Sequence, residues 1–210
     1  MIIIDCKQGE DEWFAEKAGV PSAGSFKKIV DSTGKPSKSR VDYLDQLADE
    51  AIRGSVERGY QSGPMSVGIE REAEARELYE DIHGVEVKQV GFIYPDEQKK
   101  YGCSPDGLIG GEIAGHARYW GHGLEIKNPL GKTHVKYLRE NKLPTGVGYF
   151  QQIQGSLLIT GFDVWDFMSY VPGHKPFILQ VERDEQFIAK LRAELERFCF
   201  ELAGMIKRLK

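Results

Sequence analysis

Two short segments constrain this chain more than any other feature of its sequence. SPDG at residues 104–107 is followed by GLEIK at residues 123–127. In the second segment apolar and charged residues alternate, which is the period of a half-buried β-strand. Glu125 and Lys127 therefore point to one face of the predicted strand, while the two apolar residues point into the core.

The acidic side chains of these segments suit a divalent cation. Asp106 lies in a turn at the head of the preceding strand, which allows it to sit beside Glu125. Two neighbouring carboxylates make the oxygen-rich, doubly negative pocket that Mg²⁺ prefers. Lys127 adds a positive charge there, suited to holding or deprotonating an attacking water and to offsetting charge on a phosphate.

Length and composition favour a single soluble globular domain over residues 1–210. The chain is 40% apolar and 29% charged, which excludes a disordered, collagenous or disulfide-stapled protein. Its three cysteines are scattered and odd in number, as is typical of a reducing compartment. The first residues contain too short an apolar run for a signal sequence. We therefore expect a cytoplasmic protein that does not contact a membrane.

The overall charge argues against one mode of nucleic-acid binding. The chain has 28 Lys and Arg against 32 Asp and Glu, which gives a net charge of −4. A protein with this balance does not coat nucleic acid by bulk charge, so a polyanion must meet a local basic patch. An acidic excess is also what a carboxylate metal site contributes.

Hydrophobic periodicity predicts helices near both ends of the chain and strands in its middle. Helices are expected over residues 9–17, 26–30, 41–54, 65–83, 149–160 and 184–209. Strands are expected over residues 85–94, 107–109, 123–127, 164–171 and 177–182. The glycine-rich stretch 110–122 is expected to form a hairpin or a loop. Helices on either side of a mixed central sheet indicate an α/β or α+β layer fold.

Glu72 is an exception to the pattern of its predicted helix. At 100° per residue it falls inside an arc of apolar positions, namely Met65, Gly68, Ala75, Leu78, Tyr79 and Ile82. An isolated carboxylate on such an arc is costly to bury unless another group pairs with it. Arg71 or Arg76 would supply that partner in a structural ion pair.

The tryptophan and histidine residues give weaker indications of function. Trp13 and Trp165 have the periodicity of core residues, whereas Trp120 is expected to be exposed, where it can stack on a base. None of the five histidines has the spacing of a metal-ligand set.

Asp106 and the triplet Glu125-Ile126-Lys127 resemble the PD-(D/E)-x-K nuclease motif. The flanking segments SPDGLI and GLEIKNP are similar to those of the phage lambda exonuclease, or YqaJ-like viral recombinase, family. The resemblance runs from about residue 11 to residue 185. An aspartate followed at a distance by E-x-K is common by itself, and the match becomes specific when Glu72 and Gln152 are added.

The resemblance implies a restriction-endonuclease-like central mixed β-sheet flanked by helices, with a site for two Mg²⁺ ions and Mn²⁺ as a substitute. The metal ligands that it implies are Asp106, Glu125, the Ile126 carbonyl and, for the second metal, Glu72. It also implies that Lys127 is the catalytic lysine and that Gln152 lies near the nucleophile or near Lys127.

In this family a pocket for a 5′-phosphate uses an N-terminal arginine and hydroxyl groups. Ser104 matches one of the hydroxyls, and the other is either Ser22 or Ser25. Lys17 occupies the arginine position, where it offers a point charge and no bidentate fork.

The function implied is a Mg²⁺-dependent 5′→3′ exonuclease that acts on linear double-stranded DNA. It would leave 3′ overhangs for phage-type recombination by strand annealing. The same resemblance implies a homotrimer ring threaded by DNA, a phage single-strand annealing partner, and a phage or prophage gene expressed in a bacterial host.

Simpler roles stay open for these residues. Asp106, Glu125 and Lys127 can belong to a turn and to a solvated strand face. Gln152 can bond only to the backbone, and the serines can cap a turn or a helix. The alternative functions are a related endonuclease, a single-strand or 3′-end nuclease, or a non-catalytic module that docks a DNA end or an annealing protein.

Overall fold

The computed structural model describes residues 1–56, 63–113 and 116–210, and the side chains of these ranges apart from those of residues 63–70 and 111–120. The strands are β1 (Ile2–Ile4), β2 (Glu86–Lys88), β3 (Phe92–Tyr94), β4 (Gly107–Ile113), β5 (His116–Lys127), β6 (Val164–Ser169) and β7 (Phe177–Glu182). The α-helices are α1 (Asp11–Lys17), α2 (Arg40–Arg53), α3 (Gly63–His83), α4 (Gly131–Glu140), α5 (Tyr149–Thr160) and α6 (Glu185–Leu209). A 3₁₀ helix spans Ala23–Lys28. The side chains of Met65, Gly68 and Trp120 lie outside this description.

A mixed sheet forms the centre of the fold, in the strand order β2-β4-β5-β6-β7. β5 and β6 run parallel, and the other neighbouring strands are antiparallel. The glycine-rich stretch belongs to the paired strands β4 and β5, apart from residues 114 and 115, which are not described. The predicted α/β class with a central mixed sheet is confirmed.

Residues 85–94 do not form the single strand that their composition predicts. β2 pairs with β4 in the central sheet, whereas β3 pairs with β1 in a separate two-stranded sheet. The chain passes from one to the other at Gly91, where a Cβ would come within 2.2 Å of the Cys6 sulfur. That close approach requires glycine and allows the chain to change sheets.

The largest buried side chains lie between the sheet and the helices. Trp165 and Phe167 of β6 are fully buried, as are Leu157 of α5 and Leu191 and Phe198 of α6. Helix α5 packs on the 3₁₀ helix, and α2 packs on α6. None of the helices in the described ranges is long and apolar enough to cross a membrane.

Helix α3 follows its predicted pattern at most positions that can be checked. Ala75 and Tyr79 are buried, and Gly84 ends the helix in a left-handed conformation. Ile82 is an exception, because it is 49% exposed near the end of the helix. Ser22 precedes the 3₁₀ helix and makes no side-chain capping bond, and Ser25 lies inside that helix.

Candidate active site

The paired ends of β4 and β5 fix the first carboxylate of the site. Gly107 pairs with Leu124, so Asp106 lies just before the ladder begins. Its backbone N–H donates to the Leu124 carbonyl at 3.1 Å, and its side-chain Oδ2 accepts from the Ile126 N–H at 2.6 Å. Main-chain bonds to β5 therefore fix both the backbone and the carboxylate of Asp106.

Glu125 is the second carboxylate, and it is almost fully buried, with 1% of its surface exposed. Its Oε1 contacts the ammonium group of Lys127, two residues later on the same face of β5. The same oxygen accepts from Gln152 Nε2 at 2.6 Å. Gln152 lies in the first turn of α5, so this bond joins that helix to the sheet.

Helix α3 brings the third carboxylate to the same place. Arg76 connects Glu72 to the strand ends, since one guanidinium nitrogen lies 3.2 Å from Glu72 Oε1 and Nε donates to the Asp106 carbonyl at 3.1 Å. The structural ion pair considered for Glu72 is thus present. Glu72 also lies close enough to Asp106 and Lys127 for their charges to act on it.

Burial raises the proton affinity of all three acids, and neighbouring acids add to it at Glu72 and Glu125. Burial and then the Asp106 carboxylate raise the pKa of Glu72 to about 7. Burial also raises the pKa values of Asp106 and Glu125, and Asp106 adds to the increase at Glu125. Burial opposes the charge of Lys127, but Glu125 and Asp106 outweigh it and raise the pKa of the ammonium group. The nearby cations therefore do not fully offset the effect of burial on these carboxylates.

The oxygen atoms at this end of the β4–β5 pair include main-chain as well as side-chain donors for a divalent cation. Within the described ranges, no group of three or more His, Cys, Asp or Glu side chains is arranged so that it could hold a metal ion. The Ile126 N–H points to Asp106, and its carbonyl points to the same side, because both groups of a strand residue face the same neighbour. Two carboxylates, one carbonyl and remaining water fit Mg²⁺, which usually keeps several waters.

A second group of side chains lies around Trp13 on α1. Its indole N–H lies 2.9 Å from Ser104 Oγ and 3.0 Å from the Gly91 carbonyl. The ammonium group of Lys17 stands 3.7 Å from the centre of the same indole. Trp13 therefore joins Lys17 to Ser104, two of the residues expected at the phosphate pocket.

Both candidate serines for the second hydroxyl meet Tyr43 of α2. The Tyr43 hydroxyl lies 3.4 Å from the Ser22 backbone nitrogen, and its oxygen also interacts with the Ser25 side chain. Ser22 is bridged to Gly102, two residues before Ser104. The structure leaves the choice between Ser22 and Ser25 open, since both face the same tyrosine.

The group of side chains around Trp13 adjoins the carboxylates at the end of the β4–β5 pair. A Cβ at Gly24, in the 3₁₀ helix, would lie 3.8 Å from Gln152 Nε2. A cavity of about 430 Å³ extends from Trp13 to Glu72 and Arg76. The group around Trp13 and the carboxylates therefore belong to one continuous region of the surface.

Sequence reasoning missed two residues of this region. Trp13 was expected in the core, yet it is only half-buried and binds Ser104. Arg76 was considered only as a partner of Glu72, yet it also binds the Asp106 backbone. The i, i+4 spacing of Glu72 and Arg76 was a usable signal, whereas nothing local linked Trp13 to Ser104.

Comparison with known protein families establishes the family of this chain. The model of the YqaJ-like viral recombinase domain matches residues 12–163. The chain belongs to this family. A match of this extent includes every candidate site residue, and membership implies a DNA exonuclease of the type found in phage recombination.

Solved structures agree with the family. The chain is similar to the alkaline exonuclease LHK-Exo from Laribacter hongkongensis, with 29% identity, a TM-score of 0.80, and coverage of 95% of this chain and 96% of that one. LHK-Exo in complex with dAMP gives 29% identity, a TM-score of 0.81 and 96% coverage of both chains.

A more distant structure supports the fold alone. The phage-related exonuclease from Haemophilus somnus 129PT has 13% identity and a TM-score of 0.61, with 91% of this chain and 96% of that one covered. Comparison with curated proteins gives no match.

Proposed function

We propose that this family member is a Mg²⁺-dependent 5′→3′ exonuclease that degrades one strand of linear double-stranded DNA and leaves 3′ overhangs. The observation that carries the proposal is the convergence of Asp106, Glu125, Lys127 and Gln152 at one end of the β4–β5 pair. A lysine and an amide donor beside crowded acids suit hydrolysis of a phosphodiester.

The metal ligands in this proposal are Asp106, Glu125 and the Ile126 carbonyl, with Glu72 at a second ion. Bound Mg²⁺ would supply Lewis-acid activation of the phosphate and of the attacking water, and Mn²⁺ would substitute for it. The raised pKa values of the three acids support this assignment, because burial disfavours their negative charges and a bound cation would stabilise those charges.

Lys127 and Gln152 are assigned to the attacking water. Both side chains donate to Glu125 Oε1, so their nitrogen atoms lie side by side at the carboxylate. Lys127 would activate the water and offset charge that builds on the phosphate, while Gln152 would orient the water. Lys127 also stands 5.7 Å from the centre of the Tyr149 ring, which restricts where its ammonium group can move.

The proposed 5′ polarity depends on the group around Trp13. Lys17 and Ser104 would bind a terminal 5′-phosphate together with Ser22 or Ser25. Glu72, Asp106 and Glu125 form what we call the acidic cage. The cavity that reaches from Trp13 to Glu72 supports the proposal, because it connects the group around Trp13 to one acid of this cage. LHK-Exo binds dAMP, and we propose that this chain likewise releases 5′-mononucleotides.

The proposed partners are based on membership of the YqaJ-like viral recombinase family. We infer a homotrimer ring around DNA and a phage single-strand annealing protein as partner, in the cytoplasm of a bacterial host. Light scattering after size-exclusion chromatography would test the trimer: a mass three times that of the chain supports it, and a monomer contradicts it.

The experiment that tests the proposal is digestion of a linear duplex labelled at either the 5′ or the 3′ end. The 5′ label is expected to be released first with Mg²⁺ or Mn²⁺, and no release is expected with a chelator. Release of the 3′ label first would contradict the polarity. Cutting of a closed circular duplex would indicate an endonuclease.

A further inference from the structure

Arg76 makes more contacts with the acidic cage than a surface ion pair would. Its side chain is only 11% exposed. The guanidinium group donates to Glu72 Oε1 at 3.2 Å and to the Asp106 carbonyl at 3.1 Å. With the Gln89 amide turned so that its oxygen faces the guanidinium group, that oxygen accepts at 2.7 Å. The acceptors come from three separate parts of the chain.

The shape of the guanidinium group matters here. Its donors form a rigid planar fork that can hold several acceptors at fixed positions, whereas a lysine ammonium is a point charge on a flexible stem. On one side the fork holds the carboxylate of Glu72 on α3. On another it holds the backbone of Asp106 at the start of β4. Arg76 thereby sets the position of one acid relative to the other.

Resting on the proposed metal-dependent function, we propose that Arg76 is a positioning residue that holds Glu72 and Asp106 where they can accept a divalent cation. Arg76 does not contact the reacting atoms in this proposal. It acts through the two acids, as groups outside the ligand shell commonly do at metal sites.

Charge alone predicts the opposite effect. A cation near a metal site repels the metal, so loss of the Arg76 charge would strengthen metal binding if electrostatics were its main role. Positioning predicts weaker binding. The sign of the change in metal affinity therefore separates the two roles.

The experiment measures Mn²⁺ binding to the full-length protein without DNA by electron paramagnetic resonance. Arg76→Met removes the charge and the fork, and Arg76→Lys removes only the fork. We expect both variants to bind Mn²⁺ about 10- to 100-fold more weakly than wild type, the range found for such supporting groups. The matched control is Arg71→Met on the same helix, whose charge acts on Tyr170, and its affinity should not change.

The proposal would be overturned if Arg76→Met bound Mn²⁺ as tightly as wild type or more tightly. It would also be overturned if Arg76→Lys kept the wild-type affinity for Mn²⁺. A wild-type protein that binds no Mn²⁺ would overturn the proposed function itself, so the two failures are distinguishable. Gln89→Leu removes one acceptor without touching the arginine. It should weaken Mn²⁺ binding by a smaller factor, which provides a test if Arg76→Met fails to fold.

Activity gives a second readout that a merely structural role would not move. The Mg²⁺ concentration for half-maximal digestion should rise in Arg76→Lys, and the rate at saturating Mg²⁺ should return towards the wild-type rate. An unchanged Mg²⁺ requirement with a uniformly lower rate would contradict positioning of the metal ligands.

Discussion

Two buried carboxylate sites lie along helix α3, and their surroundings are opposite in character. Asp166 on β6 is 4% exposed, and it accepts a hydrogen bond from the Tyr79 hydroxyl at 2.5 Å. Its other oxygen lies 3.1 Å from His122 Nε2. Burial alone would raise the pKa of Asp166, but His122 and Tyr79 outweigh it and hold the pKa below its usual value.

The other site, two turns earlier on the same helix, contains three acids whose pKa values are all raised. Lys127, Gln152 and Arg76 donate to it, yet they do not compensate for burial and mutual repulsion. Asp166 thus has a hydroxyl donor on one oxygen and the His122 imidazole beside the other, although that second oxygen makes no hydrogen bond within the described residues. At the acidic cage the donors do not offset burial, and such strongly perturbed carboxylates are typical of functional sites.

The largest expected effect separates the two sites by activity. Lys127→Met should lower the rate of duplex digestion by about 10²- to 10³-fold, the usual effect of removing a donor that stabilises developing negative charge. Asp166→Asn, a change at the structural site, should keep the rate per folded molecule close to wild type. Initial rates on 5′-phosphorylated linear duplex measure both, and equal rates for wild type and Lys127→Met would remove the catalytic assignment.

A substitution at the Asp166 site should lower the stability of the fold more than a substitution beside Glu125. Tyr79→Phe leaves the buried Asp166 oxygen without its hydroxyl donor, which should lower the free energy of unfolding by about 1–3 kcal/mol. Gln152→Leu should cost less stability, since Glu125 keeps its contact with Lys127. Urea unfolding measures both changes. A folded Tyr79→Phe protein with wild-type stability would show that the Asp166 site is not the structural one.

Proton competition should appear at the acidic cage and not at Asp166. The pKa of Glu72 is raised to about 7, so a cation must displace a proton below that pH and meets an ionised carboxylate above it. Apparent Mn²⁺ affinity should therefore rise from pH 6 to about pH 9, since the pKa of Glu125 is also raised, to about 8. Calorimetry in two buffers would measure the proton release, which Glu72→Gln should reduce and Asp166→Asn should not.

The raised pKa of Glu72 also determines how the stability of the metal-free protein changes with pH. Because folded Glu72 binds its proton more tightly than the unfolded chain does, the free energy of unfolding should fall as pH rises from about 4.5 to about 7. Mg²⁺ should offset this loss, so its effect on the melting temperature should be larger at pH 8 than at pH 6. An effect independent of pH would argue against a cation at Glu72.

The smallest expected effect concerns recognition of the 5′-phosphate. Burial lowers the pKa of Lys17 to about 8, against the opposing charge of Glu50. The ammonium group is thus charged at pH 7 and largely neutral at pH 9. The preference for 5′-phosphorylated over 5′-hydroxyl duplex should fall by at most about tenfold across this range. Lys17→Arg should keep its preference, and an equal decline in that variant would exclude Lys17 as the cause.

The sequence predicted the centre of the site better than its surroundings. Asp106, Glu125 and Lys127 could be brought together because strand alternation fixes which side chains share a face. Gln152 entered through family resemblance, and it lies against Glu125. The resemblance thus identified contacts between elements that local periodicity cannot reach.

Other features depend on contacts between residues far apart in the chain. Trp13 was interpreted as a core residue because its periodicity cannot reveal that Ser104, 91 positions later, accepts its N–H. The change of sheet at Gly91 depends on the approach of Cys6. Serine is a residue type that often caps helices, but the position of Ser22 next to Tyr43 and Gly102 is set by tertiary packing.

The central claim is that the crowded acids of the β4–β5 end bind a divalent cation. An anomalous difference map from a crystal grown with Mn²⁺ at pH 8 tests it most directly. The account predicts a peak in contact with the carboxylates of Asp106 and Glu125 and with the Ile126 carbonyl. A map without a peak there, or with one only at Asp166, would contradict it.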